Sequence, residues 1–134
     1  MKIIVCLDDR DGYLFMKRRQ SRDSALCDRV LERTKGAVLW MNFYSAPLFS
    51  NADICVDDEF LDKAEVGDFC FVENCEMTPY LDCAEEVWVY RWNRHYPADT
   101  RFPMDMVRER WTLKETYEFP GSSHEMITEE VYGL

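Results

Sequence analysis

The chain has 134 residues, 47% of them hydrophobic and 14% aromatic, and a formal net charge of −10. That length and composition suit one folded domain over residues 1–134 with a sizeable core, not a disordered segment. The acidity argues against a nucleic-acid-binding surface, which relies on basic residues to release counterions from phosphates; its plain reading is solubility, and a small molecule is a partner class the sequence leaves open.

The N-terminal apolar run, residues 3–7, is too short for a signal-peptide core and is followed at once by Asp8 and Asp9. No segment approaches the roughly 20 apolar residues of a membrane helix, so no membrane partner is expected. These features point to a cytoplasmic protein with reduced thiols. Most of the six cysteines sit in apolar stretches, where Cys acts as a small hydrophobe. Nothing in the sequence sets an oligomeric state.

Residues 2–9 read as a buried strand, and Asp11-Gly12 as a turn. Residues 21–35 carry helical spacing through Leu26, Val30 and Leu31. Ser21 is the expected N-cap, Asp23 suits the positive first turn, and Gly36 is a natural stop. Residues 37–42 form a second apolar strand, Ser45-Ala46-Pro47 starts a turn or short helix, and residues 53–56 make a short strand. Asp57 is placed to cap a helix through Ala64. Gly67 ends that segment, and residues 69–72 make another buried strand. Thr78-Pro79 has the chemistry of a short helix start.

Residues 87–92 alternate Val87, Val89 and Arg91 against Trp88, Tyr90 and Trp92. Residues 111–119 and 126–132 alternate again around a turn at 120–123, as an antiparallel pair does. Strands alternating with helices imply a parallel sheet with right-handed crossovers, and the final pair adds antiparallel edge strands.

The strand at 87–92 leads through a polar turn to Asp99-Thr100-Arg101-Phe102-Pro103, and Trp111 and two last strands follow. This segment resembles the strand, turn and D-T-x-F-P stretch of the dihydrofolate reductase family. The first strand, the Gly12 turn and the helix near Asp23 are similar to that family's first strand, flexible loop and substrate helix. Residues 69–81 sit where the family has a strand, a glycine pair and a short helix. The resemblance implies a three-layer α/β fold, a mostly parallel sheet with a C-terminal antiparallel hairpin. It also places Asp23 where the family keeps its substrate-binding acid.

The sequence departs from the family at its cofactor loops. Val72-Glu73-Asn74-Cys75-Glu76 has no glycine and two carboxylates where the glycine pair belongs, which would repel a phosphate. Asn42-Phe43-Tyr44-Ser45 has no arginine where the family holds the nucleotide, and Tyr90 replaces the threonine that supports the acid. The expectation is no cofactor, with NADPH required only by a reductase.

Asp23, Arg19, Arg22 and Tyr90 are the candidate ligand-binding residues. The resemblance implies that the Asp23 carboxylate grips a protonated heterocycle or amidine; the plainer reading is an acid favoured by the helix dipole. Tyr90 is a donor toward that acid or a core aromatic. Lys17, Arg18, Arg19 and Arg22 form a basic island suited to an anionic ligand or acidic partner, or balanced by Asp8, Asp9 and Asp11. His95 and His124 are the only histidines, no C-x-x-C or H-E-x-x-H is present, and no metal site is expected. Ser122-Ser123-His124-Glu125 reads better as a capped hairpin turn than as a nucleophile with its base. Trp88, Trp92, Phe102, Trp111 and Tyr117 read as core aromatics or as the lining of a flat-ligand pocket.

The expected function is a non-reductase binding or interaction module for a small heterocyclic or anionic ligand. An NADPH-dependent reductase of a pterin-like substrate is the first alternative and a hydrolase the second. The H-x-H-x-D-H metal motif of the ribonuclease Z type is absent.

Overall fold

Continuous apolar runs become inner strands because both of their faces are covered. The computed structural model describes residues 1–50 and 52–134. Its main sheet contains β1 (Lys2–Leu7), β4 (Leu39–Met41), β5 (Cys55–Val56), β6 (Phe69–Phe71), β7 (Glu86–Arg91), β9 (Thr112–Phe119) and β10 (Ile127–Gly133). The spatial order is β5-β4-β6-β1-β7-β10-β9. β1 pairs in parallel with β6 and β7, and β10 lies antiparallel between β7 and β9. The fold is therefore the expected α/β arrangement, a parallel centre closed by an antiparallel hairpin.

The period of β7 divides the core. Trp88, Tyr90 and Trp92 share a cluster with Leu26, Cys27 and Val30 of α1 (Ser24–Arg33). Val87 and Val89 lie in the opposite cluster, with Phe60 of α2 (Phe60–Lys63) and Met104 and Val107 of α3 (Met104–Arg110). Helices on both faces of one sheet make the three layers. Trp88, Trp92, Phe102 and Trp111 are buried, so they are core aromatics. Tyr117 is the exception: it is half-exposed on β9, with the Arg29 guanidinium over its ring at 4.3 Å.

Several elements differ from the sequence expectations. Alternation in β9 predicts one buried face, yet only Phe119 of that strand is buried. β9 is the sheet edge, and its charged residues keep that edge hydrated. α1 starts later than predicted, with Asp23 and not Ser21 as its N-cap. Where the resemblance implies a flexible loop after the first strand, the chain forms a hairpin of β2 (Gly12–Phe15) and β3 (Arg18–Arg19). Its turn residues Met16 and Lys17 have φ of 52° and 64°, the left-handed region that two-residue hairpin turns require. β8 (Thr100–Arg101) joins the other side of β2, giving a small sheet ordered β3-β2-β8. The Asp99–Pro103 segment thus straps this hairpin down: Asp99 accepts a hydrogen bond from the Met16 N–H at 2.9 Å, and Phe102 is buried beneath.

No helix among the described residues is long and apolar enough to cross a membrane.

Candidate functional site

Parallel strands release their carboxyl ends on one edge, and open α/β sheets take ligands beyond that edge. Here the loops leaving β1, β6 and β7 meet the β2–β3 hairpin. Cys6, Tyr13, Arg19, Gln20, Val72, Glu73 and Trp92 line the resulting cleft, which keeps only about 10 Å³ of free volume.

Arg19 fills it. Its Nε and Nη2 donate to the two carboxylate oxygens of Glu73 at 2.8 and 2.9 Å. The guanidinium lies 4.3 Å from the Tyr44 ring centre and also donates to the Tyr44 carbonyl at 3.1 Å. Ser45 Oγ donates to Glu73 at 2.7 Å. Glu73 is buried, and its hydrogen bond holds the Arg19 pKa above its ordinary value. Gln20 Oε1 is the one buried side-chain polar atom without a partner among the described residues.

Asp23 is also buried and fully engaged by its own chain. Its Oδ1 accepts from the N–H groups of Ala25, Leu26 and Ser122 and from the Ser122 hydroxyl. Its Oδ2 accepts from the N–H groups of Ser123 and His124 and lies 3.0 Å from His124 Nδ1. Burial alone would raise the Asp23 pKa, but donors led by the Ser122 N–H and His124 outweigh it and hold the carboxyl well below the usual range. His124 stacks on Trp92 with ring centres 4.4 Å apart, and its Nε2 lies 2.7 Å from Tyr96 Oη. The Ser122–His124 segment is the capped hairpin turn that the sequence suggests, and its cap is a helix-start aspartate from far away in the chain. The resemblance-implied grip of Asp23 on a heterocycle finds no free oxygen.

Tyr90 does not reach Asp23. It is buried under the sheet and donates to Glu129 Oε1 at 2.8 Å. Arg29 donates to both Glu129 oxygens at 3.0 Å. Burial raises the Glu129 pKa, but hydrogen bonds led by Arg29 bring it below the ordinary value.

Arg22 alone of the four candidates is exposed. With Asp23, Ser24, Cys27, Leu48 and Ser122 it borders a second cavity of about 310 Å³. Burial pushes the Cys27 thiol there up to about 11, so it offers no thiolate nucleophile at neutral pH. Among the described residues, none of Asp8, Asp9 and Asp11 forms an ion pair with the basic island. Asp8 accepts from the N–H groups of Arg10 and Gly12 and from Gln20, and Asp11 pairs with Arg91 at 2.6 Å.

Sequence reasoning reached Glu73 only as a charge hostile to phosphate and missed Glu129. A carboxylate just after or within an apolar strand is the available signal, since burial obliges it to find a cation. Among the described residues, no group of three or more His, Cys, Asp or Glu is placed to hold a metal ion.

No family model matches this chain, and no curated protein matches it. A solved structure does: dihydrofolate reductase from Enterococcus faecalis complexed with NADP(H) and RAB-propyl, with a TM-score of 0.68. The match covers 98% of this chain and 94% of that one at 11% identity. The chain has the dihydrofolate reductase fold.

Proposed function

We propose that residues 1–134 form one cytoplasmic binding or interaction module that does not reduce folate. The observation that carries this reading is Arg19, whose guanidinium fills the cleft between Glu73 and the Tyr44 ring. A pterin ring has no room beside it. All six cysteines are free thiols, in keeping with a reducing compartment.

The residues on the cofactor side do not fit a dinucleotide diphosphate. Backbone N–H groups that would cradle phosphate are taken by the chain's own side chains. Asp58 accepts from Phe43 N–H, Asn42 from Ser45 N–H, and Glu76 from Thr78 N–H. Asn42 Nδ2 donates to Asn74 Oδ1 at 2.7 Å, which ties the loops after β4 and β6 together. The nearby cation, Arg19, is neutralised by Glu73.

The open cavity bordered by Arg22 suits a small anionic or heterocyclic ligand. Arg22 supplies charge, Ser123 supplies a hydroxyl, and Leu48 supplies an apolar wall. The Ser24 hydroxyl donates to Ser122 Oγ and the Ser122 hydroxyl to Asp23, so neither is offered to the ligand. Asp23 sets the shape of this site without touching the ligand. Arg19 stands next to it as the cleft's closure, and Tyr90 supports the sheet below.

The test is thermal denaturation with about 1 mM NADPH, dihydrofolate, inorganic phosphate or citrate, since a ligand that binds the folded state raises Tm. NADPH and dihydrofolate leave Tm unchanged, and an anion raises it in the wild type but not in Arg22→Ala. Consumption of NADPH with dihydrofolate sinks the reading.

A further inference from the structure

We propose that the small sheet β3-β2-β8 and the turns beside it dock an acidic polypeptide segment. This deepens the interaction-module reading and rests on it.

The first ground is where the unpaired cations lie. Most lysines and arginines of this acidic chain are used in ion pairs. Among the described residues, those outside any ion pair are Arg10, Lys17, Arg18, Arg22, Arg94 and Arg101, with Lys35 as the seventh. All but Lys35 sit on the carboxyl-end loops and the small sheet, and all are exposed. A protein with net charge −10 has thus gathered its free positive charge at one end. Among the described residues, none of the neighbouring acids forms an ion pair with these cations, although Asp8, Asp9 and Asp99 break the patch's positive charge. Asp8 and Asp99 accept from backbone N–H groups, and Asp11 is paired with Arg91.

The second ground is shape. Two cavities adjoin there. One, of about 430 Å³, is bordered by Phe15, Met16, Arg18 and Pro97. The other, of about 280 Å³, is bordered by Arg10, Phe15, His95, Pro97 and Arg101, with Asp8 as the one carboxylate in its wall. Phe15 and Pro97 border both and form the ridge between them. Phe15 is 41% exposed and Met16 is 71% exposed, held outward by the left-handed turn at Met16 and Lys17. Arginines on either side of an exposed apolar ridge suit a chain with carboxylates on both sides of an apolar residue. Guanidinium groups take carboxylates in paired hydrogen bonds.

Charge complementarity favours a peptide over a nucleic acid. The exposed carboxylates Asp9 and Asp99 interrupt the patch, and the net charge repels a continuous phosphate chain. Spaced carboxylates with apolar residues between them avoid both problems.

The experiment is fluorescence anisotropy with a short labelled peptide alternating Glu with Ser and Phe. The same peptide with Lys for Glu, and an oligothymidine of equal charge, are the controls. The Glu peptide is expected to bind, with affinity falling as salt rises from about 50 to 200 mM. Arg18→Glu/Arg101→Glu is expected to weaken binding about tenfold or more with Tm unchanged. Sedimentation is expected to show no self-association through this face. The proposal is overturned if the Glu peptide does not bind, if the double variant binds it equally, or if oligothymidine binds more tightly. A dimer that the double variant dissolves overturns it too, because the occupant is then a second copy. Failure here without dihydrofolate reduction removes the docking surface alone; NADPH-dependent reduction removes the reading beneath it.

Discussion

Replacing Arg19 by alanine tests whether the cleft is held shut by charge. Glu73 is 9% exposed and sits on the short segment leaving β6. Arg19→Ala removes both of its guanidinium hydrogen bonds and leaves only the Ser45 hydroxyl. Breaking a fully buried pair from one side costs about 3–5 kcal/mol. The Arg19 side chain keeps 23% of its exposure, so part of that pair is already screened by water. The expected loss is about 2–4 kcal/mol, a fall in Tm of about 10 °C for a chain of this length. The reverse variant, Glu73→Ala, costs less, because a long arginine can rotate outward and be hydrated. Arg19→Lys recovers less than half the loss, since an ammonium cannot bond both carboxylate oxygens in one plane. Thermal denaturation at pH 7, followed by tryptophan fluorescence, reads all three. Arg19→Ala within about 0.5 kcal/mol of wild type, or Glu73→Ala the more damaging variant, refutes the latch.

Asp23→Asn replaces an acceptor oxygen by an amide that faces N–H donors, and costs about 2–4 kcal/mol at pH 7. Because the folded Asp23 pKa is lowered, its contribution is present above the unfolded value near 4 and is lost as pH falls below it. Acid titrations of stability are therefore flatter below about pH 4 in the variant than in the wild type. Gly121→Ala places a Cβ 2.5 Å from Asp23 Oδ2 and 2.7 Å from the His124 carbonyl, and loses about 1–3 kcal/mol in urea denaturation. Tyr90→Phe loses one hydrogen bond to Glu129, which keeps Arg29, and costs about 1 kcal/mol without changing the affinity of any anion found for Arg22.

The strands β1, β4, β6 and β7 and the helix α1 were legible because period and burial are local properties of a few consecutive side chains. The closing hairpin was legible for the same reason. β2, β3 and β8 are two to four residues long, too short to show a period. Only their mutual pairing makes them strands. The candidate site was legible in residue type and not in partnership. Asp23 carried a helix-start signal, but the turn that saturates it lies 99 to 101 residues onward. Arg19 carried a basic-island signal, while its carboxylate is 54 residues away. Such partners are chosen by strand order, which brings the β6 exit beside the β2–β3 hairpin, and no local pattern records that choice.

Both ligand-attracting features of this edge are met from within. The N-terminus of α1 would draw an anion, and the Asp23 carboxylate already caps it. The buried Glu73 would draw a cation, and the Arg19 guanidinium already meets it. Neither attraction is left to recruit a substrate at depth. The charge that remains unmatched is on the outside: Arg10, Arg18, Arg22 and Arg101 on the rim, exposed and unpaired. An enzyme that encloses a flat ring needs the inner groups free, whereas a module that meets a partner at its surface needs them satisfied, so that the rim is held rigid. Under the proposed module reading, the D-T-x-F-P segment acts in the second way. Asp99 fixes the Met16 turn, Phe102 anchors the segment in the core, and Arg101 between them faces outward.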